Sequence, residues 1–418
     1  MERRMGKGVA GSGLHRRALL TAALAAPALT ALPFGRARAE GAPVKIGVLC
    51  DMSGIYSDDT GPGLVAAVQI AVREMGGAVL GRPVVVVSAD DENKPDTGTA
   101  IARRWFDEEG VGAIVCASAS SITLAVAELA RQRNRMLLVA GSLSADLTGK
   151  QCAPSTIQFG LDTFAGPKSV VAPTIKSGAK SWFIINVDYA FGQSLRTEAT
   201  QMIDQAGGKL LGKATFPLGS PDYSSVLLQA QASRAQAVAL ACGGTDWSNL
   251  VKQAHEFGIT ASGQQLVTLT GGINEIMAVG GDVCKGMMAS APFYWDLNDG
   301  SRRFAAKFRD ARNGHYPNWQ QADGYSAAIH YLKCVAASGT DDGAKVAETM
   351  RATPVKDSLI DGAPIRADGQ VMRPTYLMRV KPETAPGRAD IFELVSVLSA
   401  EESWRPADES ACPLLRRT

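Results

Sequence analysis

Histidine is scarce in this chain. Four occur in 418 residues, and with His15 inside a basic leader only His255, His315 and His330 remain as sources of imidazole. No Gly-x-Ser-x-Gly elbow or His-Glu-x-x-His occurs, so a hydrolase would lack its usual local signatures. His255 sits beside Glu256 in a helical context and His330 lies within an apolar helical stretch, so surface and core roles account for them. Cys-x-x-Cys is missing and no Cys/His cluster forms, which argues against zinc. Aromatic residues make up 6% of the chain, and no basic stripe interleaved with aromatics points to nucleic acid. Tandem repeats and low-complexity linkers are absent too.

The one suspicious apolar stretch, Ala18–Leu32, is too short to span a bilayer and carries Pro27 and Pro33 at its end. Residues 1–39 read as an export signal. Arg3, Arg4, Lys7, Arg16 and Arg17 form the basic head, and Ala37-Arg38-Ala39 supplies a small-x-small cleavage site before Glu40. Arg16-Arg17-Ala18-Leu19-Leu20 resembles a twin-arginine signal, and an ordinary secretory leader is the alternative. Either route delivers the product to the periplasm. Removing the leader takes away seven basic residues and one acid, leaving a slight excess of negative charge. All 7 cysteines lie beyond the leader. Cys50, Cys116 and Cys242 end apolar runs and read as small core residues, whereas Cys152 and Cys412 lie in polar loops and could pair in an oxidising compartment.

From residue 40 onward, apolar runs of strand length alternate with helical periodicity, the signature of a buried, mainly parallel sheet. Strands are expected at 44–49, 83–88, 113–116 and 136–140, with helices at 63–75, 97–109 and 122–133 between them. The pattern restarts after the Cys152 loop: helices at 165–176, 191–206, 223–232 and 247–257, strands at 181–186, 209–216, 237–241 and 265–269. A strand at 286–291, helices at 301–313, 320–337 and 344–351, and strands at 375–380 and 391–397 complete it. The length exceeds one ordinary core, so an α/β protein of two lobes is expected.

Binding signals cluster at strand ends. Met136–Ala140 breaks into Gly141-Ser142-Leu143-Ser144, and Ile114–Cys116 runs into Ala117-Ser118-Ala119-Ser120-Ser121. Both leave backbone N–H groups and hydroxyls at the carboxyl end of a strand, a ledge suited to a carboxylate or small anion. Tyr56 follows the first strand; Tyr189 and Phe191, then Thr245 and Asp246, then Gly271, occupy equivalent positions after later strands, where open α/β sheets bind ligands. Thr60-Gly61-Pro62-Gly63-Leu64-Val65-Ala66 mimics a dinucleotide fingerprint, yet it begins 11 residues past Leu49 and reads as a helix start. No cofactor, catalytic residue or metal is implied.

These segments together resemble the type I periplasmic solute-binding proteins of the branched-chain amino acid transporter class. The carriers are Val44–Gly54, Asp90-Asp91 with Pro95, Ser120-Ser121, Met136–Thr148, Asp188–Gly192, Tyr223–Ser225 and Gly281–Met287, in that order over essentially the whole mature chain. The resemblance implies two Rossmann-like lobes with parallel sheets joined by a three-segment hinge, residues 40–162 plus 291–370 forming one and 163–290 plus 371–418 the other. It implies a monomer that captures a small solute for the permease and ATPase subunits of an importer; a sensor feeding a membrane receptor is the alternative. Residue by residue, Ser120 matches a serine that meets the ligand carboxylate, and Gly141 and Ser142 match backbone contacts to the same end. Leu143 stands where a threonine is usual, and Phe191 and Thr245 replace tyrosines. The glutamate that neutralises a ligand ammonium maps near Leu269–Gly271, where no acid stands. The expected ligand is therefore a small carboxylate without an α-ammonium, with aromatic character suggested by Tyr56, Tyr189, Phe191 and Trp247; a branched-chain or other amino acid is the alternative.

Overall fold

A computed structural model describes residues 41–381 and 389–417; the export signal expected at 1–39 lies outside them. The first sheet combines β1 (Val44–Cys50), β2 (Ala78–Val79), β3 (Arg82–Asp90), β4 (Val111–Ala117), β5 (Met136–Val139) and β6 (Thr156–Gln158), in the order β2-β3-β1-β4-β5-β6. Every pairing except that of β2 with β3 is parallel. Helices α1 (Gly61–Glu74), α2 (Pro95–Asp107) and α3 (Ser120–Gln132) supply the crossovers. Because helices cover both faces, β4 is buried at every position from Val111 to Ala117. Each fully buried aliphatic side chain of this kind contributes about 1.5–3 kcal/mol to folding.

A second, wholly parallel sheet is built from β7 (Ser181–Val187), β8 (Lys209–Phe216), β9 (Ala237–Ala241) and β10 (Gln265–Thr268), ordered β10-β9-β7-β8. Its helices are α4 (Ala165–Lys176), α5 (Ala190–Gln205), α6 (Ser224–Ser233), α7 (Gly244–Glu256), α8 (Ile273–Val279) and α9 (Gly281–Cys284). The chain then forms β11 (Met288–Ala291), α10 (Asp299–Ala311), α11 (Trp319–Ser338), α12 (Gly343–Ala352), the short pair β12 (Val355–Lys356) and β13 (Asp361–Ala363), β14 (Thr375–Val380), β15 (Phe392–Leu398) and α13 (Ala400–Ser403). Strands β11, β14 and β15 make a small antiparallel sheet. Helix α11 returns to pack on α1, where the Tyr325 hydroxyl donates to Glu74 at 2.6 Å.

The α/β alternation read from the sequence is the one observed, with ends shifted by up to three residues. Strands β2, β6, β12 and β13, each of two or three residues, and helices α8, α9 and α13 had no sequence counterpart. Three residues are too few to establish a period, and α8 is a two-turn helix directly after Gly271-Gly272.

Arg373, after β13, meets the Asp323 carboxylate of α11 and donates to the Phe159 carbonyl at 2.9 Å. The Trp404 indole in turn donates to the Arg373 carbonyl at 2.8 Å. Cys152 and Cys412 form a disulfide with their Cα atoms 5.7 Å apart, so the tail ends against the loop that follows β5.

Chain order reverses across β1 and β4 in the first sheet, and across β7 and β9 in the second. Crevices open at the carboxyl ends of such strands, because the adjoining loops leave in opposite directions. The two switch points contribute loops to a single cavity.

Candidate functional site

That cavity leaves a volume of about 50 Å³ for the centres of water-sized molecules. One end is made by the first sheet. Strand β4 delivers Ala117, Ser118 and Ala119 to the cavity and α3 begins at Ser120; β5 delivers Gly141, Ser142 and Leu143. The ledges touch: a Cβ on Gly141 would lie 2.7 Å from the Ala117 Cβ, so only glycine allows this approach. The Ser118 hydroxyl donates to the Leu49 carbonyl at 3.2 Å. That of Ser142 donates to the Ser118 carbonyl at 2.5 Å and also meets the Thr123 hydroxyl. Ser142 therefore braces the ledge with its side chain and can offer a ligand its backbone. The first N–H groups of α3 have no intrahelical acceptor, and with the Ser120 hydroxyl they form a neutral, donor-rich end suited to a carboxylate.

The β1–α1 loop forms the next wall. Buried Asp51 shapes it by accepting N–H bonds from Gly54 at 2.6 Å, Tyr56 at 2.9 Å and Ser53 at 3.2 Å. This places the Tyr56 hydroxyl 2.6 Å from that of Tyr189, at the start of α5. Burial pushes both phenols above their ordinary pKa, so they remain protonated at neutral pH. Phe191 stands beside Tyr189 with ring centroids 5.8 Å apart. Gly243 and Gly244 complete this side, and Trp319 and Gln320 enter from the first turn of α11.

The opposite end is acidic. Asp59, closing the β1–α1 loop, and Glu275, on α8, both line the cavity and are almost completely buried. Glu275 accepts the Gly272 N–H at 3.0 Å and the Gly244 N–H at 3.3 Å. Asn274 donates to Asp59 Oδ1 at 3.3 Å, and Asn318 donates to its backbone carbonyl at 2.8 Å. Burial raises the pKa of both carboxyls, and the charge of Glu275 raises that of Asp59 further. Among the described residues, no Lys, Arg or His lines the cavity.

Of the residues singled out in the sequence, Tyr56, Ser120, Gly141, Ser142, Leu143, Tyr189, Phe191 and Gly271 line this space. Three do not. Ser121 is one step along α3 from Ser120, and a rotation of about 100° per residue carries it off the cavity face. Thr245 spends both its N–H, at 3.0 Å, and its hydroxyl, at 3.2 Å, on the Ile55 carbonyl. Asp246 cannot supply the missing acid: its carboxylate accepts the Tyr223 hydroxyl at 2.8 Å and the Gly219 N–H at 3.0 Å. Trp247 is core, its indole bonded to the Thr268 hydroxyl at 3.0 Å.

Residues 269–271 themselves carry no acid, as the sequence reads. Thr270 and Gly271 line the cavity, and Glu275, one helical turn further on, brings a carboxylate to the same place. A sequence signal existed: an acid at the third position of a helix opening on glycine is a capping residue aimed back at the turn. Asp59 had no such signal.

A profile of the family described as periplasmic binding protein matches residues 43–386. Among solved structures, a periplasmic binding protein from Burkholderia mallei is 35% identical with a TM-score of 0.86, covering 89% of this chain and 99% of that one. A branched chain amino acid ABC transporter periplasmic ligand-binding protein from Burkholderia xenovorans is also 35% identical, with a TM-score of 0.79 and coverage of 89% and 100%. The leucine-, isoleucine-, valine-, threonine-, and alanine-binding protein of Pseudomonas aeruginosa is 23% identical over 299 residues, 71% of this chain and 78% of that protein.

Proposed function

This chain belongs to the periplasmic binding protein family, whose members here are solute-binding proteins and not enzymes, and from that premise we propose that it captures a small zwitterionic amino acid for an ABC importer. The observation that carries the ligand class is the polarity of the cavity. Its first-sheet end offers N–H groups and hydroxyls without a formal charge, while its far end holds Asp59 and Glu275 with no basic side chain among the described residues lining the space. A simple carboxylate would bring a second negative charge into a buried, acidic space. An amino acid presents its carboxylate to Ser120, Gly141 and Ser142 and its ammonium to Glu275, so both poles are matched. Leaving a charge unpaired in such a space costs about 3–5 kcal/mol, enough to decide between the two classes. Tyr56, Phe191, Leu143 and Trp319 would surround an apolar side chain.

Residues 40–162 with 291–370 act as one jaw and residues 163–290 with 371–418 as the other. Each jaw contributes one pole, so ligand binds best when they are closed and shifts the equilibrium by its differential affinity. The closed form is what the permease recognises, and the ATPase subunits supply the work. The 1–39 leader would place the protein in the periplasm. Titration calorimetry of ligand-stripped protein with leucine, benzoate and the keto acid of leucine tests the ligand class. Leucine should bind at least about a hundredfold more tightly than either acid; equal or tighter binding of benzoate would overturn the assignment.

A further inference from the structure

Asp59 and Glu275 come from elements 216 positions apart in sequence, yet they line one cavity with 4% and 7% exposure. Asn274, the residue before Glu275, donates its amide to Asp59 Oδ1 at 3.3 Å, and the charge of Glu275 raises the pKa of the buried Asp59; two carboxyl groups crowded this way into one buried space cannot readily both ionise. Among the described residues, the surroundings offer no cation that would let them. From the same loop come Asp58 and Tyr56, from the end of β9 Cys242, from α7 Asp246, and from α5 Tyr189; none of these side-chain types can carry a positive charge. The starts of α3 and α11 bring Ser120, Asn318, Trp319 and Gln320, all uncharged. Arg312 and His315 line a separate outer groove beyond Asp58 and Asn274. Glu275 accepts two backbone N–H bonds, whereas the Asp59 carboxyl has only the Asn274 amide, with Asn318 at 3.5 Å. Hydrogen bonds from the backbone favour the ionised form, so the negative charge resides on Glu275 and the proton on Asp59.

We propose that the empty cavity holds one proton shared between Asp59 and Glu275, and that a ligand ammonium displaces it on binding. The proton leaves to bulk water, and the ammonium takes its place between two carboxylates. The pair would thus serve as a placeholder, keeping the cavity at a single negative charge until a cation arrives. This rests on the amino acid reading above. A ligand with a neutral pole would leave the proton in place. Binding of an amino acid would tighten as pH rises towards the pKa of the empty pair, by at most about tenfold per pH unit for one proton.

Two measurements separate this idea from the ligand assignment. The first needs no ligand: infrared difference spectra at pH 7 between the wild-type protein and Asp59→Asn, or Asp59→Ser should the amide fail to fold. A carbonyl stretch of a protonated carboxylic acid, present in the wild type and lost in the variant, is expected; its absence overturns the shared proton whatever the protein binds. The second is leucine calorimetry in buffers of different ionisation enthalpy, expected to show release of about one proton per leucine at pH 7. Leucine binding without proton release overturns the displacement step. Failure of leucine to bind refutes the amino acid reading, and with it displacement by an ammonium, and the infrared band still decides whether the pair shares a proton.

Discussion

Gly244 is the point where the β1–α1 loop meets the second sheet's helices, and replacing it with alanine tests whether that contact governs binding. Its backbone has φ of +63°, and a Cβ there would lie 2.4 Å from the Ile55 carbonyl oxygen and 2.8 Å from Tyr56 Cδ1. The substitution therefore acts twice. Left-handed backbone costs alanine about 1–2 kcal/mol whether or not the loop is docked. The carbonyl overlap is different in kind: it is a backbone atom, no rotamer change relieves it, and the loop must withdraw. Withdrawal breaks the Thr245 N–H bond to Ile55 at 3.0 Å and the Tyr56–Tyr189 hydroxyl contact at 2.6 Å. At about 1 kcal/mol each, these put the closed form at a disadvantage of about 2 kcal/mol, close to thirtyfold in affinity.

Calorimetry gives the affinity and scanning calorimetry the stability, and the expected pattern is a large loss in the first with a small fall in melting temperature. Gly243→Ala provides the contrast. Its Cβ would lie 3.9 Å from Tyr56, an ordinary contact, in extended backbone with φ of −152°, so its effect on affinity should be much smaller. Wild-type affinity in Gly244→Ala would mean that the docked loop plays no part in capture, and the closure argument would fail.

Ser120→Ala should weaken ligand binding by about 1–3 kcal/mol through a lost bond to a charged group; unchanged affinity would remove Ser120 from the carboxylate end. Cys412→Ser opens the cross-link to Cys152, which spans 260 positions, and should lower folding stability by about 3–5 kcal/mol in denaturant titrations. Thiol-reduced wild type should then unfold at the variant's midpoint, and an unshifted midpoint in both would refute a stabilising role. His330 is buried against the Met350 carbonyl at 3.1 Å, and burial lowers its pKa from 6.5 to about 4. The folded state then binds fewer protons than the unfolded one between these values, so this group's stability is lost as pH falls through that window. The full effect is about 3 kcal/mol. The stability gap between wild type and His330→Gln should shrink by that amount from pH 7.5 to pH 4; a pH-independent gap would contradict it.

The alternation of strands and helices was legible because strands buried on both faces, such as Val111–Ala117 and Ala237–Ala241, are continuous apolar runs, and local chemistry alone sets them apart from amphipathic helices. The ledges after β4 and β5 were legible for a related reason: parallel strands must end in loops, and small residues there leave the backbone open to a ligand. Which face of a helix turn reaches the cavity was not. Ser120 and Ser121 are chemically identical neighbours, and so close in sequence that only the phase of α3 against the sheet distinguishes them. Thr245 and Asp246 were lost to the site in the same way, by the orientation of α7 and by the competing demands of Ile55, Tyr223 and Gly219.

By itself the sequence determined the α/β architecture, the strand ends that carry the cavity-lining loops, and the donor-rich end of the cavity. The acidic end was decided only by tertiary structure. Asp59 and Glu275 acquire their shared character from being brought together across 216 positions of chain into a space where the described residues place no cation. A pairwise electrostatic interaction depends on distance and burial, and neither quantity exists until the chain has folded.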